Sequence, residues 1–147
     1  MFAAKTKVPV ERSRAEIERL LHVHKATQHL TAIDNENHRA IVQFKMNNRV
    51  VKFEVSLPQP PDPKKGPQLR LATLHDQITR QRWRALLLVL KAKLEAIENN
   101  ISTFDSEFLS HIIVPGTNRT VGEYIAPQLA AAYEKGSGPL QLTSGAQ

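Results

Sequence analysis

The stretch AIVQFKMNNRVVKFEVSL, residues 40–57, leaves this chain few folds to choose from. Val42, Phe44 and Met46 alternate with Gln43 and Lys45, and Val51, Phe53, Val55 and Leu57 alternate with Lys52 and Glu54. A period of two places each apolar set on one side of an extended backbone. Asn47 and Asn48, between the two runs, tolerate positive φ, so the stretch predicts a β-hairpin with one buried face. Such a hairpin cannot bury a core alone, and the rest of the chain must supply its cover.

The cover is read from a return to helical period. In residues 79–98, Trp83, Leu87, Leu90, Leu94 and Ile97 form one apolar stripe that Leu86 widens, which predicts a central helix packed across the sheet. Ahead of the hairpin, Ser13 and Glu16 have the spacing of a capping box, followed by Ile17, Leu20, Leu21 and His24 at helical intervals. TQHLTAI reads as a first strand and DNEN as the turn after it. Beyond the central helix, residues 104–112 predict a short helix and VPGTNR a loop. Thr120 and Glu123 then open a last helix with a second capping box, inside which Pro127 marks a kink or break. The expected class is α+β, with an N-terminal helix, a small antiparallel sheet, a long central helix and shorter C-terminal helices. Residues 1–12 are expected to be a flexible basic lead, 13–135 one domain interrupted by a proline-rich linker at 58–68, and 136–147 a disordered tail.

Cysteine is absent, which excludes disulfides, thiolate catalysis and cysteine-ligated zinc or iron–sulfur sites. ALLLVL is far shorter than the roughly 20 residues of a membrane span, and no apolar secretory signal precedes the first helix, so the expected place is the cytoplasm with no membrane contact. The six histidines fall in no zinc-ligand pattern. Glu107 and His111 stand four apart and predict a helix-stabilising pair rather than a metal or hydrolytic cluster. Ser102, Ser106 and Ser110 lack a nucleophile elbow, and Gly116 belongs to a turn rather than a phosphate loop. The chain therefore reads as no enzyme, with no cofactor and no metal.

Charge is the remaining signal. Twenty basic residues against fourteen acidic ones give a net +6, which favours a polyanion as partner. On the central helix Arg80, Arg84 and Lys91 share one face, Arg82 and Lys93 lie across the apolar stripe, and no acid interrupts residues 80–93. For a helix beginning near residue 79, cations in the first turn and Glu95 and Glu98 in the last oppose the helix dipole, so folding alone does not select this order. Either the cations bind phosphates, or acids such as Asp76, Glu107 or Glu123 fold over and neutralise them. Arg49 and Lys52 on the hairpin extend the candidate phosphate contacts. Arg12, Arg14 and Arg19 alternate with Glu11, Glu16 and Glu18 and read as a mixed solvated face. Phe44, Phe53 and Trp83 are read as core rather than as base-stacking surfaces, with the Trp83 indole in need of a hydrogen-bond partner.

VPVERSRAEIERLL, RQRWRALLLVLKAKLEAIE and RTVGEYIAPQL together resemble a group of small basic proteins of phages and prophages. The resemblance covers most of the chain and assigns no role to any single residue. It implies DNA handling during phage replication or recombination, or a protein that disables a host defence or regulatory factor. The expectation is thus a noncatalytic nucleic-acid-binding protein that slightly favours single-stranded DNA, through Arg80, Arg82, Arg84, Lys91, Lys93, Arg49 and Lys52. An inhibitor directed at a host protein is the alternative, and apolar Leu88 and Val89 outside the core stripe favour a homo-oligomer.

Overall fold

A computed structural model describes residues 6–62, 64, 68–136, 138 and 140. Helix α1, Val10–Val23, precedes three strands, β1 Gln28–Asp34, β2 Arg39–Met46 and β3 Arg49–Ser56. Helix α2 spans Gln68–Glu98, α3 Phe104–Phe108 continues into a 3-10 turn at Leu109–His111, and α4 spans Val121–Lys135. The protein is α+β, as its periodicities require.

The strands form an antiparallel sheet in the order β1-β2-β3. Asn47 and Asn48 close the hairpin at φ 55° and 60°, the left-handed values that a tight two-residue turn demands. Ala40, Val42, Phe44 and Met46 on β2 and Val51 and Phe53 on β3 are buried on one face. Trp83, Leu86, Leu87, Leu90 and Leu94 of α2 and Ile17 and Leu21 of α1 cover that face. Phe104, Phe108 and Ile112 complete the same cluster, with Phe108 edge-on to both Phe44 and Phe53. The strand TQHLTAI is present as β1, and the Thr120–Glu123 capping box at α4 is formed in both directions. Pro127 neither breaks nor ends α4, which runs on to a left-handed Gly136.

Three expectations change. Helix α1 starts at Val10 behind Pro9, so Ser13 is a buried interior residue and makes no cap. Proline suits the helix boundary because it gives up a donor that the first turn could not satisfy. Helix α2 begins at Gln68 rather than near residue 79, three turns earlier and directly after the prolines. Glu107 and His111 do not pair: Lys93 takes Glu107, and the His111 ring stacks on Phe53 at 3.8 Å. Burial, and then the nearby Lys93 charge, lower the His111 pKa below its ordinary value. Residues 1–5 of the expected lead and nearly all of the expected tail lie outside the described residues.

Register determines what the sheet edges expose. Leu57 N–H donates to the His38 carbonyl at 2.7 Å and Ile113 N–H to the Val50 carbonyl at 2.8 Å. The odd residues of β3 therefore bond β2, and the even residues point outward. By the same alternation His29, Thr31 and Ile33 turn their backbone groups to the outer edge of β1. An arginine closes a carbonyl on each edge, Arg14 on Thr31 at 3.0 Å and Arg82 on Ser56.

Candidate nucleic-acid interface

Helices α1 and α2 run side by side in the same direction. Val10 lies by Thr79 and Arg80, Glu16 by Arg84, Leu20 and Val23 by Leu87 and Leu88, and His24 by Glu98. The surface of this pair carries Arg12 and Arg19 from α1 and Arg80, Arg84 and Lys91 from α2. Arg12 and Arg19 are seven residues apart, two helical turns, which brings both to the same side of α1. Leu20, Val23, Leu87 and Leu88 form the floor of the groove between the helices, whose volume is about 250 Å³. Glu16 sits among the cations, and Glu11 and Glu95 lie toward the two ends.

The electrostatics within this patch are uneven. Glu16 accepts from Arg84 and lies 3.4 Å from Arg12. The Arg84 hydrogen bond, reinforced by the Arg84 and Arg12 charges, holds the Glu16 carboxyl below its ordinary pKa although burial pushes the other way. Arg80 donates to Gln77 at 2.7 Å, while its Nε is buried with no partner. Lys91 is exposed and has no ion pair among the described residues. Arg19 is likewise exposed and unpaired.

The other four expected contacts stand elsewhere. Arg82 reaches over the β3 edge to Ser56. Lys93 donates to the Glu107 carbonyl at 2.8 Å and lies 5.9 Å above the Phe108 ring, tying α2 to α3. Arg49 pairs with Asp105 at 3.3 Å, and Lys52 with Glu54 at 2.8 Å. Glu54 also receives Arg39, which bonds Asp34 in turn, so this part of the open sheet face is a closed network of alternating charges. The seven cations do not form one surface: Arg80, Arg84 and Lys91 gather on the α1 side, and the others do not join them. Of the first-helix arginines, Arg14 is occupied by Thr31 and leans over Trp83 at 5.4 Å. The Trp83 indole N–H has no hydrogen-bond partner among the described residues.

The dipole argument lapses with the longer helix. Arg80, Arg82 and Arg84 lie more than three turns past Gln68, and the end effect fades within the first turn. At the other end His24 stands 3.3 Å from Glu98. Among the described residues no three or more histidine, aspartate or glutamate side chains converge as a metal site, and no helix is long and apolar enough to cross a membrane. No protein-family model matches the chain, nor does any of the curated proteins or solved structures compared with it.

Proposed function

We propose that this protein binds nucleic acid without cleaving or modifying it, by laying the phosphate backbone along the α1–α2 face. The observation that carries the reading is the gathering of Arg12, Arg19, Arg80, Arg84 and Lys91 around the single carboxylate of Glu16. Arg19 and Lys91 have no competing partner to release, and release of counterions from the bound phosphates supplies the affinity. Phe44, Phe53, Phe104, Phe108 and Trp83 are all buried, so this face offers bases no ring to stack on. Base preference is accordingly weak, because phosphates position a strand without identifying it. Single-stranded DNA is the favoured ligand, its flexibility letting it follow a narrow track between two rods, and its advantage over a duplex is modest.

The test replaces Arg12, Arg19 and Lys91 together by alanine and leaves the Arg84–Glu16 pair to hold the helices. Titrations against matched single-stranded DNA, duplex DNA and RNA at several salt concentrations should show weaker binding by the variant. Its log–log salt slope on a single strand should be shallower by about 2, near 0.7 for each lost contact. Unchanged binding by the folded triple variant, or no binding by the parent protein at low salt, refutes the proposal. The apolar groove floor, with Val23 62% exposed, supports a second reading, an acidic host protein as target. That reading requires a complex that survives nuclease treatment.

A further inference from the structure

Helix α2 carries a second apolar stripe, about 130° round from the one that faces the core. Leu71, Ile78, Ala85 and Ala92 recur every seven residues, and Leu74, Val89 and Ala96 fall beside them. Nothing in the fold covers this line: Leu74 is 55% exposed and Val89 44%. Along its middle it forms one wall of a groove of about 520 Å³ whose other wall is Phe53 and Val55 of β3. A seven-residue apolar repeat is the form that a helix takes when it packs lengthwise on another helix, and alanines at 85, 92 and 96 let a second backbone come close.

We infer that the occupant is α2 of a second copy of this chain, packed antiparallel to make a two-fold dimer. Charge order selects both the partner and the direction. Arg82 flanks the stripe toward the front of α2 and has only a backbone carbonyl, while Glu95 toward the back has a side chain with no partner among the described residues. Parallel copies would set Arg82 beside Arg82 and Glu95 beside Glu95. Antiparallel copies, with Ala85 level with Val89 and Ile78 level with Ala96, bring Arg82 within a turn of Glu95 of the second copy. The same register sets exposed Leu74 beside Ile101 of the second copy, which is 79% exposed in the lone chain. The sequence of cations followed by acids along one helix is thus complementary to itself when reversed. The seam lies on the flank of α2 away from α1, so the dimer leaves the α1–α2 face open and stands or falls independently of nucleic-acid binding.

Sedimentation should give twice the 16.5 kDa chain mass. Ala85→Glu places a carboxylate against Val89 of the second copy and should raise the dimer dissociation constant about 100-fold, with helix content unchanged. Because the chain has no cysteine, direction can be read separately by coupling single-cysteine variants with a short bis-maleimide. Val89→Cys, near the two-fold axis, should couple. Leu74→Cys should not, since its two copies would lie about 39 Å apart along the helices. A 16.5 kDa species up to the solubility limit overturns the dimer, and an Ala85→Glu protein that pairs like its parent overturns this seam. Equal coupling through residues 74 and 89 overturns the antiparallel direction.

Discussion

Replacing Phe108 by alanine tests whether the C-terminal segment is part of the core or an attachment to it. Its ring is fully buried, 5.6 Å from Phe44 and 6.1 Å from Phe53 in edge-on contacts, and 4.9 Å from Phe104. Removing a buried phenylalanine costs about 3–5 kcal/mol through lost burial and the cavity left behind. The aromatic geometry, worth roughly 0.5–1.5 kcal/mol per pair beyond area, puts this site in the upper half of that range. Lys93 also loses the ring beneath its ammonium, 5.9 Å away, and retains only the Glu107 end of its anchorage. We expect a loss of about 4–5 kcal/mol, which for a chain of this length lowers the melting temperature by about 10–20 °C. Urea and thermal unfolding followed by circular dichroism measure it. Tyr133→Ala is the control: at 82% exposure on α4 it should change stability by no more than about 0.5 kcal/mol. A loss below about 2 kcal/mol for Phe108→Ala would refute the view that α3 fastens the hairpin to the long helix.

Two further predictions concern how the elements are held. Gly122→Ala in the first turn of α4 should destabilise by about 1–2 kcal/mol even though alanine is the better helix former by about 1 kcal/mol, because the added Cβ would stand 2.9 Å from the Ser110 carbonyl oxygen. Amide exchange along α4 should quicken, and protection equal to the parent's would show that the contact yields freely. Arg84→Ala should cost about 0.5–1 kcal/mol at neutral pH. Since Glu16 is held below its ordinary value of 4.5, the pair stabilises the fold above that value and is lost as pH falls through the depressed one. Urea midpoints of parent and variant should therefore diverge above about pH 4.5 and converge in acid, and a gap that is constant with pH would exclude the Glu16 partnership.

What could be read from the sequence were patterns confined to one element. The hairpin announced itself because alternation and turn residues are local, and the Asn47–Asn48 backbone angles are what its spacing implied. The Thr120–Glu123 box was visible for the same reason, while the equal spacing of Ser13 and Glu16 misled: a capping box is a geometry, and Ser13 sits where α1 needs a small buried residue. The first three turns of α2 were hidden because their leucines serve no core stripe and follow a run of prolines. The candidate site was the least legible part. Arg84 meets Glu16 across 68 residues of sequence and Arg49 meets Asp105 across 56, distances over which spacing carries no information. Counting cations on one helix found Arg80, Arg84 and Lys91, but only the packing of α1 against α2 shows that Arg12 and Arg19 join them.

The arginines at the two borders of the sheet bear on how the protein would behave in the laboratory and in a crowded cell. A three-stranded sheet with bare rims is a template for open-ended stacking of chains into aggregates, and proteins commonly blunt such rims with charge. Arg14 and Arg82 occupy one outward carbonyl on each rim with a bulky solvated cation, which an incoming strand would have to displace. Stripping either of them in a survey of basic residues would therefore mix two effects, a lost charge and an uncovered rim. Any gain in apparent DNA retention by such a variant would have to be separated from precipitation of the protein onto itself.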